Sequence, residues 1–144
     1  MIKKMLFIVP LLFLGCASKN IDVGVLKGKI SKRDMIRVEE FKNNTSTPLA
    51  GKKVASIIRA TLRNKGFRVS NNATAKFSIK GSVNEWRYKT GIDGEPAVNF
   101  SLRVIDNVNN FVAYSGMGAI SGDGYDSLGT VAQKISNEIL NPIK

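Results

Sequence analysis

Three long stretches of alternating apolar and polar residues constrain the fold of this chain more than any other feature. They span residues 75–88, 97–106 and 111–120. Such alternation is typical of half-buried β-strands, because successive side chains of a strand point to opposite faces of a sheet. The apolar phase changes within the first stretch, which predicts a β-bulge near Asn84. The connections are short and rich in turn residues, so we expect the three strands to form an antiparallel meander.

Two other segments have the three- and four-residue apolar spacing of amphipathic helices. Thr47-Pro48 is expected to begin the first helix, with Thr47 as its cap, and Gly66 is expected to end it in a left-handed conformation. The second helix is expected to have Ser127 as its cap and to end before Pro142. The apolar stripes are Leu49, Val54, Ile57, Ile58, Thr61 and Leu62 in the first helix and Leu128, Val131, Ala132, Ile135, Ile139 and Leu140 in the second.

Short strands are also predicted at residues 34–41 and 67–70, which gives the order β, α, β, β, β, β, α. Helices with a single apolar stripe and a sheet with alternating faces pack most simply as two layers. The predicted fold is therefore an α/β (α+β) two-layer sandwich, in which a mixed sheet with an antiparallel meander packs against two helices.

The first fifteen residues have the organisation of an export signal. Two lysines precede ten apolar residues, 5–14, and a small Gly15 precedes Cys16. A bilayer-spanning helix needs roughly 20 apolar residues, and Pro10 interrupts this shorter run. We therefore expect the segment to be removed after export.

The end of this segment resembles a bacterial lipobox, with Gly15 and Cys16 in place and Phe13 where the motif has leucine. The resemblance implies that Cys16 becomes the N-terminus and carries acyl chains such as palmitate, which anchor it in a membrane. Residue 17 is alanine, whereas lipoproteins that stay at the inner membrane usually have aspartate at this position. We therefore expect the protein on the periplasmic face of the outer membrane. The alternative is an ordinary secretory signal and a soluble mature protein.

The predicted organisation has three parts. Residues 1–15 are the lipoprotein signal peptide, 16–32 are a lipidated N-terminus and tether, and 33–144 are a single periplasmic α/β domain. The mature length of 129 residues suits one hydrophobic core.

Composition argues against several functions. Cys16 is the only cysteine and histidine is absent, so the mature chain lacks the commonest zinc ligands and the commonest general base. We therefore expect no metal, no cofactor and no enzymatic activity.

Residues 19–89 carry 17 basic and 5 acidic side chains, whereas 90–144 carry 3 basic and 6 acidic side chains. Such asymmetry suits anionic lipid or another copy of the chain, and export makes nucleic acid an unsuitable partner. The alternative is that these lysines are ordinary solvent-exposed residues on the outer faces of helices and strands.

Two groups of motifs indicate a family. Phe41-Lys42-Asn43-Asn44-Thr45, followed by a helix that ends at Gly66-Phe67-Arg68-Val69, resembles the opening of periplasmic α/β domains of the CsgG and TolB N-terminal type. Residues 86–98, with Tyr114-Ser115-Gly116 and residues 122–128, are similar to PelC-like lipoproteins. The resemblance covers nearly all of the mature chain.

The resemblance implies an outer-membrane lipoprotein whose domains associate side by side into rings and serve polysaccharide export. The implied partners are further copies of the chain, outer-membrane export proteins and an exported polymer. PelC rings are associated with an acidic lumen, whereas residues 19–89 of this chain are basic. Related lipoproteins activate peptidoglycan synthases, so the alternative is a monomeric module that regulates a cell-wall enzyme or supports another envelope structure.

Two predicted loops each contain a pair of carboxylates that could form a site. Asp93 and Glu95 have the residue types for acid–base work, but Asp93-Gly94 is typical of a turn. Asp123 and Asp126 lie in a glycine-containing loop without the ligand spacing of a calcium site. We therefore predict no catalytic or metal residue in either loop.

Aromatic and basic side chains are the candidates for contact with partners. Subunit contacts are favoured over a membrane-interface surface, because the lipid already supplies attachment. These candidates are Trp86, Tyr88, Tyr114 and Tyr125, with Arg59 and Arg63 on the basic face of the first helix.

Overall fold

The computed structural model describes residues 18–89, 94–122 and 126–144. These ranges form seven strands and two helices: β1 (Ser18–Val23), β2 (Met35–Val38), β3 (Lys42–Asn43), α1 (Ala50–Asn64), β4 (Arg68–Val69), β5 (Phe77–Tyr88), β6 (Pro96–Asp106), β7 (Phe111–Ser121) and α2 (Leu128–Ile139). The mixed sheet has the strand order β1-β7-β6-β5-β2-β4, and β3 pairs with β5 outside this path. The two helices pack against the sheet, which confirms the predicted sandwich. Within the described ranges, neither helix has the length and apolar character needed to cross a bilayer.

The predicted meander is confirmed in β5, β6 and β7, which pair antiparallel in sequence order. The register of β5 against β6 shifts between Val83 and Glu85, where the bulge was expected. Because of the shift, Val83 and Trp86 are both buried although their spacing would otherwise place them on opposite faces. Strand β2 runs parallel to β5 on the other side.

The core lies between the sheet and the helices. Alternate residues of β6 face the helices, and the ring of Phe100 meets that of Phe41 edge to face with a centroid distance of 6.2 Å. The apolar stripes of both helices close this layer, with Ile58 and Ile135 fully buried. The alternation of the strands and the stripes of the helices thus produce one contiguous core.

The start of α1 differs from the prediction. Its N-cap position is Leu49, which has a left-handed φ of 64° and makes no side-chain capping hydrogen bond. Thr47 does not cap the helix, because its hydroxyl instead donates to the carbonyl oxygen of Trp86 at 2.8 Å. That bond ties the segment before α1 to strand β5.

The other three predicted helix boundaries are confirmed, and α2 ends at Ile139, before Pro142. Gly66 has a φ of 91°, and the amides of Gly66 and Phe67 donate to the carbonyls of Arg63 and Leu62. This pair of bonds satisfies carbonyls that the end of α1 leaves without intrahelical partners. Ser127 Oγ accepts the Thr130 amide at 3.1 Å at the start of α2.

The predicted tether is wrong for its central part. Residues Ser18–Val23 form β1, which pairs antiparallel with β7 from Ser18↔Ser121 to Val23↔Gly116. Ile21 packs against the core, and Ile30 is itself part of it. The sheet therefore begins two residues after Cys16.

Candidate interaction surfaces

The face of the sheet that points away from the helices is a candidate interaction surface, which we call the open face. Because strand residues alternate, this open face receives the polar half of β1, β5, β6 and β7. It contains a groove of about 760 Å³. Its lining is dominated by small hydroxyl residues and charged groups, including Ser82, Ser101, Ser115, Asp22, Lys80 and Arg103.

Charged groups of both signs are arranged along one side of this groove. The carboxylate of Glu39 pairs with Arg37 at 2.9 Å and with Lys80 at 3.4 Å. The hydroxyls of Ser82 and Ser101, which are cross-strand neighbours, lie 3.2 Å apart. The open face therefore offers hydrogen bonds and ion pairs to a partner, together with apolar surface that includes Met117.

Two polar atoms beneath the open face have no hydrogen-bond partner among the described residues. They are Nε of Arg37 and Oδ1 of Asn99. A buried polar group without a partner costs free energy, so these atoms are places where water or a binding partner would be stabilising.

The six contact residues predicted from the sequence do not form one surface. Trp86 and Tyr114 are buried, with exposed fractions of 5% and 2%, whereas 52% of Tyr88 is exposed. Trp86 is buried because the bulge turns it toward the helices, and Tyr114 because its register places it beneath α2. Tyr125, like Cys16, lies outside the described residues.

The two arginines of α1 also differ from each other. Arg59 is partly buried and donates to the carbonyl oxygen of Val38 at 2.9 Å, so it joins α1 to β2. Arg63 is exposed in the last turn, where a cation interacts favourably with the helix dipole.

The loop carboxylates are only partly described. Asp93 and Asp123 lie outside the described residues. Asp126 pairs with Lys134 at 2.5 Å, and no cluster of three or more metal-ligating side chains occurs in the described part of the chain.

Tyr114 and Asp106 are ionisable groups whose pKa values are shifted for structural reasons. Burial raises the pKa of Tyr114, and the nearby charge of Asp22 adds to the effect. A hydrogen bond from the backbone amide of Asn109 lowers the pKa of Asp106, and the same bond supports the turn between β6 and β7. Neither group lines the groove on the open face.

Together, the fold and these surfaces define a small α/β sandwich with one uncovered sheet face. The chain belongs to the PelC family. It is 32% identical to PelC from Paraburkholderia phytofirmans, solved as a dodecamer, with a TM-score of 0.79 over 88% of this chain and 98% of that one. A single-substitution variant of the same dodecamer is 33% identical over 87% of this chain and 96% of that one, also with a TM-score of 0.79.

More distant structures share the fold alone. A lipoprotein from Neisseria meningitidis is 18% identical, with a TM-score of 0.56 over 75% of this chain and 99% of that one. No protein-family model and no curated protein matches the chain. The predicted family resemblance is thus confirmed through solved structures.

Proposed function

We propose that this protein is a lipid-anchored, ring-forming assembly protein on the periplasmic face of the outer membrane, and that it serves the export of a polysaccharide or another envelope polymer. The observation that carries the proposal is its membership of the PelC family, because the PelC relative at 32% identity is a dodecamer. The protein would act as a scaffold and a surface, without catalysis and without a cofactor.

The two unlike faces of the sandwich support a ring. A ring needs a heterologous contact, in which one surface of a subunit meets a different surface of the next. Here the open sheet face has a groove lined by charged and hydroxyl side chains, whereas the opposite layer consists of helices, with Arg63 exposed on α1. Pairing the open face with the helix layer of a neighbour would supply partners for the buried atoms of Arg37 and Asn99.

The start of β1 supports close attachment to the membrane. If Cys16 is acylated, Ala17 alone separates it from the first residue of β1. Two residues span at most about 7 Å. The end of the sheet that contains Ser18, Ser121 and Pro96, which we call the anchored end, would then lie against the bilayer.

The mass and shape of the mature lipoprotein in mild detergent test the proposal. We expect closed rings by light scattering and negative-stain microscopy, and a Cys16→Ser form that no longer floats with membranes. A monodisperse monomer across the concentration range would contradict ring formation and favour the regulatory binding module.

A charge placed in the groove tests the role of the open face. Met117 lies in the groove opposite Ser101, so Met117→Glu should split the oligomer into smaller species. Val108→Glu is the matched control, because Val108 is exposed at the tip of the β6–β7 hairpin, away from the groove. If both variants keep the full oligomer mass, the open face is not the subunit contact.

A further inference from the structure

The start of helix α1 departs from a stable helix start in three ways. Its N-cap residue, Leu49, is in the left-handed region without a capping side chain, although left-handed positions favour glycine or asparagine. The leucine side chain is 57% exposed. The first turn carries Lys52 and Lys53 and no acidic residue, although the dipole there favours negative charge. Several departures from helix-capping, backbone and charge preferences at one place indicate a functional surface.

These residues line one groove in the helix layer. Leu49, Ile57 and Trp86 supply its apolar lining, with a volume of about 390 Å³. Lys52 and Lys53 border it, and Nζ of Lys53 lies 6.0 Å from the centre of the Trp86 ring. Neither lysine forms a salt bridge within the described ranges. We call this surface the Leu49 groove.

The register of the sheet places the Leu49 groove at the anchored end. Trp86 is paired with Val98, Val98 with Ile120, and Ile120 with Lys19. Lys19 is only three residues after Cys16. Neighbouring strands are about 4.8 Å apart, so Trp86 lies about 14 Å across the sheet from Lys19. The exposed ring of Tyr88 lies at the same end, two residues beyond Trp86.

We propose that the Leu49 groove and Tyr88 contact the anionic phospholipid surface of the bilayer that holds the lipid anchor. Leu49 and the Tyr88 ring would enter the apolar–polar boundary of the membrane, while Lys52 and Lys53 bind lipid phosphates. This inference rests on the proposed acylation of Cys16, which places the membrane at this end. It explains why an exposed leucine and two lysines stand where a stable helix would have a polar cap and an acid.

The sole tryptophan of the chain provides a direct readout. The mature lipoprotein is reconstituted in vesicles that contain phosphatidylglycerol, with and without brominated acyl chains, and anchoring is verified by flotation. Bromine quenches indole fluorescence only at short range. We expect Trp86 to be quenched, and to be quenched less in vesicles of neutral phosphatidylcholine alone.

Three variants separate membrane contact from folding. Leu49→Asn keeps a residue that tolerates the left-handed conformation but removes the apolar side chain, and we expect most of the quenching to be lost while thermal stability is retained. The double variant Lys52→Gln, Lys53→Gln should lose the difference between anionic and neutral vesicles. Val108→Asn, at the opposite end of the sheet, is the matched control and should be quenched like the wild type.

Three other outcomes would contradict the inference, and each has a different meaning. Anchored protein with an unquenched Trp86 overturns the lipid contact and leaves the anchor intact. If Leu49→Asn instead changes the oligomer mass and leaves the quenching unaltered, the occupant of the Leu49 groove is a second copy of the chain. Failure to float contradicts the proposed anchor and, with it, the inference.

Discussion

Tyr114 is the single residue that joins the two layers most directly. Its hydroxyl donates to the carbonyl oxygen of Ile139 at 2.5 Å, and both groups are buried. The carbonyls of the last helical turn have no intrahelical partner, so the tyrosine of β7 satisfies one that α2 leaves open. A residue that the sequence suggested as a partner contact therefore has a structural role inside the subunit.

Removing this hydroxyl should destabilise the protein. We expect Tyr114→Phe to lower the free energy of unfolding by about 1–3 kcal/mol, because the ring still fills its space while a buried carbonyl loses its donor. Urea unfolding followed by circular dichroism measures the change. Tyr88→Phe is the control, since Tyr88 is exposed and its substitution should have little effect. Equal stability of both variants would contradict the role assigned to Tyr114.

The same residue predicts a dependence on alkaline pH. The pKa of Tyr114 is raised in the folded state above the ordinary value of 10.0, chiefly by burial. The proton is therefore held more tightly in the folded than in the unfolded chain. Its contribution to stability is complete below pH of about 10 and is lost as the pH rises through the folded pKa. The Tyr114→Phe variant should lose less stability than the wild type across this range in parallel urea titrations.

Among the elements, α1 is held unusually close to the backbone of the segment that follows β2. A Cβ atom built on Gly51 would lie 2.0 Å from the carbonyl oxygen of Phe41. Helix and chain can approach this far only because the position has no side chain. The close approach also fixes where Leu49 and Thr47 lie before the helix.

Adding one methyl group should therefore disturb the whole element. We expect Gly51→Ala to lower the unfolding free energy by about 1–3 kcal/mol, as overpacking against a backbone atom typically does. Ser56→Ala, on the exposed side of the same helix, should be neutral or slightly stabilising, because alanine favours a helix more than serine does. Thermal unfolding of the two variants compares them, and a Gly51→Ala protein as stable as the wild type would show that α1 can shift without cost.

The elements also show what the sequence could predict. The alternation in β5, β6 and β7, the stripes of both helices and the stop at Gly66 are local patterns, so they predicted the meander and the layers. Strand β1 was missed because Ile21 and Val23 are its only apolar residues, and because its pairing with β7 is not local. The Thr47 cap failed since a tertiary contact, the bond to Trp86, competes for the hydroxyl.

The candidate surfaces were less predictable than the fold. Serines and isolated charges on alternate strand positions are typical of any solvated sheet face, and only the register brings Ser82, Ser101 and Glu39 together around one groove. The left-handed backbone of Leu49 has no sequence signal, because leucine rarely adopts it. Trp86 and Tyr114 were predicted as contact residues but are buried, because their positions depend on a bulge and on a long-range hydrogen bond.

For the molecule as a whole, the short connection from Cys16 to β1 would hold the domain close to the membrane if Cys16 is acylated as proposed. We expect an insertion of about ten Gly and Ser residues between Ala17 and Ser18 to abolish the quenching of Trp86 by brominated lipids, because a flexible linker of that length reaches roughly 18 Å. Flotation should be unaffected, since the lipid anchor is unchanged. Unaltered quenching in the insertion protein would mean that the Leu49 groove binds the membrane without help from a short connection.

The pairing of β1 with β7 has a further consequence for the time at which the sheet is completed. Residues 18–23 need residues 116–121 as their partner, so in the proposed export across the inner membrane β1 cannot pair until β7 has followed it. In that order of events, the segment that follows Cys16 would stay unpaired, and accessible to the enzymes that the proposed cleavage and acylation require, until β7 emerges. Pairing of β7 with β1 then ends that interval and would bring the folded domain close to its proposed lipid anchor.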